Sequence, residues 1–309
     1  MQIVTILVAL ALVVGSTTAQ AQACNNYLFV SGYFSNNVAI YDACSGVFLR
    51  QLETAGRIQG AQAVRYNGAD DLIYVVSEGN DQIQRYRRNA NFEFVDVFAQ
   101  LPGNFDPTGI AFGFDDEVFV ASYGTSSVVE LDAVTGAQVR VLLPSNSGLL
   151  GADNGMMVSV LGFLYVPGYD SNSVAIINPD NGGTLANFIP PGSAGLVNAR
   201  GIVDEGPTIL VGGEGSGAIY RFDSSTGAWV QTLVTGLNHP TGLAMGPDGS
   251  LLVLAGNQVR RYNRSTGAFL GVLASGAAGG ISGGTFLALV PNPALMPDPI
   301  FADGFDPVQ

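Results

Sequence analysis

The sequence predicts an all-β fold, a six-bladed β-propeller of four-stranded antiparallel blades that is closed by a C-terminal inner strand joining the N-terminal blade. Three observations support this prediction: a repeat with a period in the forties, a regular turn near the end of each repeat, and a lone inner-strand pattern at the C-terminal end. Short strands that recur at such a period are typical of propeller blades and not of helical solenoids.

The repeat is clearest at residues 239–273. It opens with the sequence His-Pro-Thr-Gly, passes an Asp-Gly turn at 248–249, and contains short apolar strands at 251–254, 259–262 and 269–273. A close copy spans residues 106–143. The residue before the opening Gly or Ala aligns at six positions, with spacings of 46, 46, 46, 41 and 42 residues: Gln62, Thr108, Asn154, Arg200, Thr241 and Gly283.

A turn between the third and fourth strands is the most regular feature of the repeat. It begins with Asp or Asn and ends with Gly four residues later, at 42–46, 132–136, 178–182, 223–227 and 263–267. The Asp or Asn side chain accepts hydrogen bonds from its own turn, and Gly takes the positive φ that closes the hairpin. These residues therefore predict turns, and we do not place them in a functional site.

The two ends of the repeat region complement each other. The first strand pattern, 27–31, has the character of a second strand, so the first blade lacks an inner strand. The last pattern, 283–290, has the character of an inner strand with no strands after it. Joining the two ends gives six blades and removes the open sheet edge that would invite aggregation.

The sequence divides into three segments. Residues 1–23 predict a secretory signal peptide, since the apolar run 3–14 is followed by small and polar residues and is too short for a membrane-spanning helix. Residues 24–293 form the propeller. Residues 294–309 form a tail rich in Pro and Asp. We therefore expect a secreted or periplasmic protein without a membrane span.

Two cysteines, Cys24 and Cys44, predict a disulfide, because paired cysteines in an exported protein usually form one. A hairpin turn centred near Phe34 would place Val30 opposite Val38 and Leu28 opposite Ile40. The same register sets Cys24 opposite Cys44, within reach of a disulfide. The alternative is a pair of unrelated thiols.

The charge of the chain excludes several functions. The net charge is −13, the pI is about 4.2, and all twelve basic residues are arginine. An acidic chain without a basic run has no electrostatic footprint for nucleic acid. The absence of lysine excludes Schiff-base chemistry and a P-loop, and a single histidine excludes a three-histidine zinc site.

The opening motif carries a resemblance. Its pattern Pro-x-Gly-(Leu/Ile)-Ala, followed by Asp-Gly and later Thr-Gly, as at 240–267, resembles NHL-type repeats and the wider six-bladed group that includes gluconolactonase-like and strictosidine-synthase-like proteins. The resemblance covers about residues 25–292 and is specific for the fold. It leaves the activity open, because this group includes lactonases, lyases, synthases and binding modules.

The resemblance implies where a site would lie. The starts of the inner strands and the loops between second and third strands meet on one face, around the central channel. Polar and aromatic residues at these positions suit a small polar ligand: Gln62, Thr108, Asp153, Tyr33, Tyr123, Tyr169 and Glu214. The alternative for the tyrosines is local packing over the tops of the blades.

A metal site is a second expectation for this face. Gluconolactonase-like enzymes hold a divalent ion with Glu, Asn and Asp at the channel mouth, and calcium prefers several converging oxygens. The residues here that match this chemistry are Glu78, Asp106, Asn154 and Asn198. The alternative is that Asp106 and Asn154 only cap loops.

Two residues are catalytic candidates. His239 is the only histidine, and at the channel mouth it could act as a general base, although the same residue also fits an ordinary repeat position. Arg200 could bind an anionic ligand through two hydrogen bonds, or it could pair with Asp153 or Glu205.

Three functions follow from these candidates. The leading one is an exported, monomeric propeller that binds a small polar ligand or a protein partner at its channel face, without catalysis. The alternatives are a lactonase-type hydrolase assisted by a divalent metal, for which Ca²⁺ is the candidate cofactor, and a lyase that uses His239 as general base.

Overall fold

The computed structural model describes residues 24–89 and 91–294 as an all-β ring of six four-stranded antiparallel sheets. The predicted signal peptide and the predicted tail after residue 294 lie outside these residues. Within the described ranges, no helix has the length and apolar character needed to cross a membrane.

Each sheet is one blade, and from the channel outward its strands follow one another in the chain, except in blade 1, whose inner strand is β24. Blade 1 contains β24 (Gly284–Pro291), β1 (Asn26–Gly32), β2 (Asn37–Asp42) and β3 (Phe48–Gln51). Blade 2 contains β4 (Ala61–Asn67), β5 (Leu72–Ser77), β6 (Gln82–Arg87) and β7 (Phe94–Gln100). Blade 3 contains β8 (Pro107–Phe112), β9 (Val118–Ser122), β10 (Ser127–Leu131) and β11 (Gln138–Leu143).

The other three blades repeat this order. Blade 4 contains β12 (Met157–Val158), β13 (Leu164–Gly168), β14 (Ser173–Asn178) and β15 (Gly183–Ile189). Blade 5 contains β16 (Ala199–Asp204), β17 (Thr208–Gly213), β18 (Ala218–Asp223) and β19 (Trp229–Val234). Blade 6 contains β20 (Pro240–Met245), β21 (Leu251–Ala255), β22 (Gln258–Tyr262) and β23 (Phe269–Ser275). Two short 3₁₀ turns lie at Glu78–Asn80 and Ser193–Gly195.

The hydrophobic core lies between the blades. Second strands such as β9 and β21 are buried at every residue, because both of their faces pack against neighbouring blades. Outer strands such as β11 are exposed along most of their length. This difference explains why second strands are continuous apolar runs and outer strands are not.

Strand β24 closes the ring, as predicted. It pairs with β1 from Asn26 opposite Pro291 to Gly32 opposite Gly284. The predicted disulfide is also present, joining Cys24 to Cys44 with Cα atoms 5.7 Å apart. The blade that unites the two ends of the chain is therefore held by one hydrogen-bonded ladder and one covalent bond.

The predicted register of the first hairpin is wrong by one residue. Val30 lies opposite Ala39 and Leu28 opposite Tyr41, where the sequence led us to expect Val38 and Ile40. The turn contains four residues, 33–36, and Asn36 closes it at a φ of 52°. The centre of the turn therefore falls after Phe34 instead of on it.

Threonine hydroxyls join neighbouring blades around the channel. Thr108 Oγ1 donates to the carbonyl of Ala152 in the next blade at 2.8 Å. In the same way Thr241 donates to Gly284 at 2.9 Å, and Thr285 donates to Ala61 at 2.7 Å. These bonds fix the spacing of the inner strands, and so the width of the channel mouth.

Blade 4 departs from the other blades at its inner strand. In blade 3 the inner strand skips one residue between its first pair, Pro107 with Ser122, and the rest of the ladder. In blade 4 the bridge of Ala152 with Gly168 and the pair of Met157 with Tyr165 enclose four residues of the inner segment but only two of the second strand, an excess of two. One extra residue is thus inserted at 153–156, beside the channel.

The structure corrects two positions of the sequence alignment, one in blade 4 and one in blade 1. The inner position of blade 4 that matches Thr108 is held by Asp153, and Asn154 follows as the additional residue. In blade 1 the matching position is Thr285 and not Gly283, because Thr285 makes the hydroxyl bond to the next blade that Thr108 makes.

Candidate functional site

A cavity of about 430 Å³ opens at the end of the channel where the inner strands begin. Each blade contributes one inner side chain to it, from the inner strand or, for Asp153, from just before β12: Gln62, Thr108, Asp153, Arg200, Thr241 and Thr285. The loops between second and third strands contribute a second ring: Tyr33, Glu78, Tyr123, Tyr169, Glu214 and Gly256. Ten of the thirteen candidate site residues named from the sequence line this cavity, and Asp106, Asn154 and Asn198 do not.

Arg200 is the centre of an ion-pair cluster in the cavity floor. Its Nη1 donates to Glu214 at 2.8 Å, and its Nε lies 3.0 Å from Asp153 Oδ2. Only 11% of the Arg200 side chain and 3% of the Asp153 side chain are exposed, so both charges are withdrawn from water. Of the two partners expected for Arg200, Asp153 is the observed one, whereas Glu205 pairs with Arg221.

Burial alters the titration of the carboxylates. It raises the pKa of Asp153, and the positive charge of Arg200 opposes that rise. It also raises the pKa of Glu78, which accepts a hydrogen bond from Gln62 and is close enough to Asp153 and Asp106 to be raised further by their charges. The cavity thus combines three carboxylates with one guanidinium.

Asn154 lies fully buried beneath the cavity and holds the floor together. Its Nδ2 donates to Gln62 Oε1 at 2.9 Å and to the carbonyl of Thr285 at 3.1 Å. Its Oδ1 accepts no hydrogen bond from the described residues. The insertion in blade 4 places this amide across the channel from blade 2, a contact that the repeat pattern could not predict.

Three blades place Asp106, Asn198 and His239 at one equivalent position, just before the inner strand. Their φ angles are positive, at 49°, 53° and 48°, respectively. The other three blades place glycine there: Gly60, Gly151 and Gly283. Asp, Asn and His are among the side chains that best tolerate this left-handed conformation. The backbone therefore accounts for the presence of these three residue types.

Of these three residues, only His239 lines the cavity. Its ring is exposed, and Nδ1 lies 2.7 Å from Asn238 Oδ1. Asn198 instead donates two hydrogen bonds, from its backbone N–H to Asn172 Oδ1 at 2.7 Å and from its Nδ2 to the carbonyl of Tyr169 at 3.1 Å. Asn198 thereby supports a tyrosine of the second ring.

Aromatic rings form two sides of the cavity. Tyr123 and Tyr169 meet edge to face with centroids 6.2 Å apart, and Tyr33 meets Phe34 in the same way at 5.3 Å. The negative charge of Glu78 raises the pKa of Tyr33, and burial together with Asp170 raises that of Tyr123 to about 12. All three tyrosines are therefore neutral donors at physiological pH.

Seven lining residues were not among the thirteen candidates named from the sequence: Phe34, Thr241, Gly256, Asn257, Gly283, Gly284 and Thr285. Phe34 is 74% exposed and, like Asn257, follows a residue of the second ring. Gly283 and Gly284 line the open side next to them. The signal for Phe34 was the dipeptide Tyr33-Phe34, an unusually apolar start for a tight turn.

The predicted calcium ligands separate into different surroundings. In the described part of the chain, the only three acidic, cysteine or histidine side chains with ligand atoms within 4.8 Å of one another are Cys24, Asp42 and Cys44, and both cysteines are in the disulfide. Glu78 and the unpartnered Asn154 Oδ1 lie near Gln62, but Asp106 and Asn198 hold turns. The donor set therefore does not fit a closed calcium site.

No protein-family model and no curated protein matches the sequence. Solved structures do match. A chain of a nidogen/laminin complex is 12% identical with a TM-score of 0.72, and 86% of this chain and 99% of that chain are covered. A protein of unknown function from Bacteroides caccae is 14% identical with a TM-score of 0.67 and the same coverage.

Virginiamycin B lyase from Staphylococcus aureus also matches. A catalytically inactive variant of it, with alanine in place of a histidine and solved with quinupristin, is 12% identical with a TM-score of 0.61; 87% of this chain and 92% of that chain are covered. The narrower NHL-type and gluconolactonase-like relationship stays a prediction. At these identities the similarities establish one conclusion, that the chain is a six-bladed β-propeller.

Proposed function

We propose that this chain is an exported propeller that binds a small polar ligand, cationic or uncharged, in the cavity at its channel mouth. The observation that carries the proposal is the lining itself: two rings of residues, with side chains at every position except Gly256, surround about 430 Å³ of space, a volume typical of small-molecule sites. The disulfide agrees with export, since disulfides persist in oxidising compartments.

The charges of the lining favour a cation over an anion. Arg200 is already paired with Asp153 and Glu214, so its charge is not available to a ligand. Glu78 has no arginine within ion-pair distance among the described residues, and its polar neighbours are the amide of Gln62, which donates to Oε2, and the hydroxyl of Tyr33. An entering ammonium or guanidinium group would meet an uncompensated carboxylate, whereas a carboxylate ligand would be repelled.

The aromatic walls suit the same ligands. Tyr33, Tyr123 and Tyr169 line the cavity, and the guanidinium carbon of Arg200 lies 5.5 Å from the centre of the Tyr169 ring. Cations are attracted to the faces of aromatic rings, and the apolar faces of sugars stack on them. The floor beneath is cross-linked by Gln62 and Arg200, so the site is rigid before a ligand arrives.

Ligand-observed NMR tests this proposal with matched sets of small molecules: quaternary amines and polyamines, mono- and disaccharides, and simple carboxylates. We expect binding from the cationic or the uncharged set and none from the carboxylates at this cavity. Tyr169→Ala should weaken that binding, and Phe269→Ala, on an exposed outer strand of blade 6, should leave it unchanged. Failure of both sets to bind, or binding that Tyr169→Ala does not alter, would contradict the proposal.

Cation binding should depend on pH through Glu78. The pKa of Glu78 is raised, so its carboxylate is ionised above that raised value and becomes neutral as the pH falls through it. Affinity for a probe such as putrescine, a primary diamine, should therefore decline on acidification before ordinary carboxylates titrate. Glu78→Gln should remove the dependence and weaken binding about tenfold or more, since a hydrogen bond to a charged group contributes about 1.5–3 kcal/mol.

A lyase is the second candidate function, favoured by the position of His239 on the lining of this cavity. In the structurally similar virginiamycin B lyase, the variant that lacks one histidine is the inactive one. Incubation with quinupristin, followed by mass spectrometry, tests this candidate. Turnover by the native chain that is abolished in His239→Ala would establish the lyase activity. Unchanged quinupristin would exclude it and leave ligand binding as the remaining proposal.

No arrangement of the described residues favours the metal-assisted hydrolase. Calcium added to the metal-free protein should leave the melting temperature unchanged, because a ligand stabilises only the state that binds it. A rise of several degrees that Glu78→Gln abolishes would restore the hydrolase as a candidate.

A further inference from the structure

A second cavity of about 430 Å³ lies at the opposite end of the channel, where the inner strands end. Its walls are mainly aliphatic, with Asn26, Arg65 and Tyr66 as the exceptions, and most of the aliphatic side chains come from four inner strands. Val158 of β12, Val203 of β16, Leu243 of β20 and Leu287 of β24 all face it. It shares no lining residue with the cavity at the channel mouth.

Arg65, from the inner strand β4, is the only charged residue on the lining of this cavity. Its Nε donates to the carbonyl of Ile110 at 2.8 Å, and its Nη2 donates to the carbonyl of Met156 at 2.7 Å. Its guanidinium carbon lies 5.1 Å from the centre of the Phe286 ring. These contacts fix the side chain in one orientation while leaving Nη1 without a hydrogen bond to the described residues.

Arg65 has no carboxylate within ion-pair distance among the described residues, although eight other arginines do. Asp71, which lies just before the adjacent strand β5, pairs with Arg88 and accepts from Tyr66. Burial alone accounts for the pKa of Arg65, which is lowered to about 10. A buried cation is costly unless it is paired, so this site lacks a negative charge.

We propose that the second cavity binds a carboxylate that carries an apolar group. The carboxylate accepts a hydrogen bond from Nη1 of Arg65 and supplies the missing negative charge, and the apolar group packs against the aliphatic walls. Charge-assisted hydrogen bonds from arginine to carboxylate are among the strongest in proteins. The aliphatic lining excludes small hydrophilic anions, because they would lose hydration without gaining apolar contact.

Two sources can supply a carboxylate that carries an apolar group. One is a free acid such as a medium-chain fatty acid. The other is the chain itself, since strand β24 ends at Pro291 on the rim of the cavity, and the sequence after residue 294 places Asp298, Asp303 and Asp306 among apolar residues. In both cases the determining contact is a carboxylate on Arg65.

Isothermal titration with octanoate tests the proposal on the full chain and on a chain that ends at Ala294, which keeps all 24 strands. Binding to both chains identifies a free acid as the ligand. Binding to the shortened chain alone shows that the chain's own terminal residues occupy the site. Absence of binding to both chains would overturn the proposal.

One control ligand and three variants separate an anion site from a merely apolar cavity. Octanamide, which has the same shape without the charge, should bind at least about tenfold more weakly than octanoate. Arg65→Met should cause a comparable loss, Arg65→Lys a smaller one, and Arg87→Met, at an exposed arginine of β6, none. Equal binding of octanoate and octanamide, or octanoate binding that survives in Arg65→Met, would overturn the proposal; if Arg65→Met fails to fold, the octanamide comparison decides.

Discussion

Replacement of Arg200 by glutamine is the most informative perturbation of this propeller. The substitution removes the one positive charge in the floor of the mouth cavity and leaves Asp153 and Glu214 facing each other. Their side chains are 3% and 15% exposed, so water cannot compensate for the lost guanidinium. The variant therefore reports the contribution of a buried ion pair to the stability of the whole ring.

The expected loss is about 3–5 kcal/mol in the free energy of unfolding, the usual cost of removing one partner from a buried ion pair. For a domain of this size, each kcal/mol lowers the melting temperature by about 2 °C, so we expect a decrease of about 6–10 °C. Equilibrium denaturation in urea measures the free energy, and scanning calorimetry measures the temperature.

A matched surface pair provides the control. Arg140 pairs with Glu130, but 41% of the Arg140 side chain is exposed, so Arg140→Gln should cost less than about 1 kcal/mol. The double variant of Arg200→Gln with Asp153→Asn should recover part of the loss, because the stranded charge is then removed. If Arg200→Gln costs no more than Arg140→Gln, the argument from burial is refuted.

The loss should also depend on pH. The folded-state pKa of Asp153 is raised by burial, and Arg200 is the main influence that lowers it, so the pKa rises further in Arg200→Gln. A carboxyl group whose folded pKa exceeds its unfolded value, about 3.9, destabilises the fold while ionised, and this cost disappears as the pH falls through the folded pKa. The deficit of the variant should therefore shrink between pH 7 and pH 5.

Three further predictions concern the ring. Replacing Cys24 and Cys44 together by serine should lower the free energy of unfolding by about 3 kcal/mol, as for a loop of similar length, measured by urea denaturation; no loss would contradict this. Thr285→Val should cost about 1–3 kcal/mol in the same assay, because the carbonyl of Ala61 loses its donor, and a neutral effect would count against it. The free energy of unfolding of His239→Gly should exceed that of His239→Ala by about 1 kcal/mol in thermal denaturation, because the φ of 48° strains alanine, and equal stability would refute the strain.

The architecture could be predicted from the sequence because every blade repeats the same pattern of residues. The turn glycines and the apolar second strands recur at a period in the forties, and the inner-strand pattern at the C-terminal end fixes the number of blades. The resemblance to six-bladed propellers indicated where the two rings would lie, and the repeat placed Tyr33, Tyr123 and Tyr169 in equivalent turns.

The parts that break the repeat could not be predicted. The insertion at Asn154 appears only when the inner ladder of blade 4 is compared with the ladders of other blades. The partners of Arg200 and Arg65 depend on distances across the channel, which a one-dimensional pattern does not contain. The role of His239 in a left-handed turn was hidden for a related reason, since a residue type alone does not reveal its backbone angle.

The shared blade imposes an order of assembly on the chain. Strand β1 leaves the ribosome first among the strands and β24 last, and the terminal contact between Asn292 and Cys24 spans 268 residues. Closing so long a loop is entropically costly and comes late, so five blades exist before the sixth is complete. Until then the backbone groups of β1 that pair with β24 are accessible to other chains. The hairpin that Cys24 and Cys44 hold together forms early, so only this one strand of blade 1 has an unpaired inner edge.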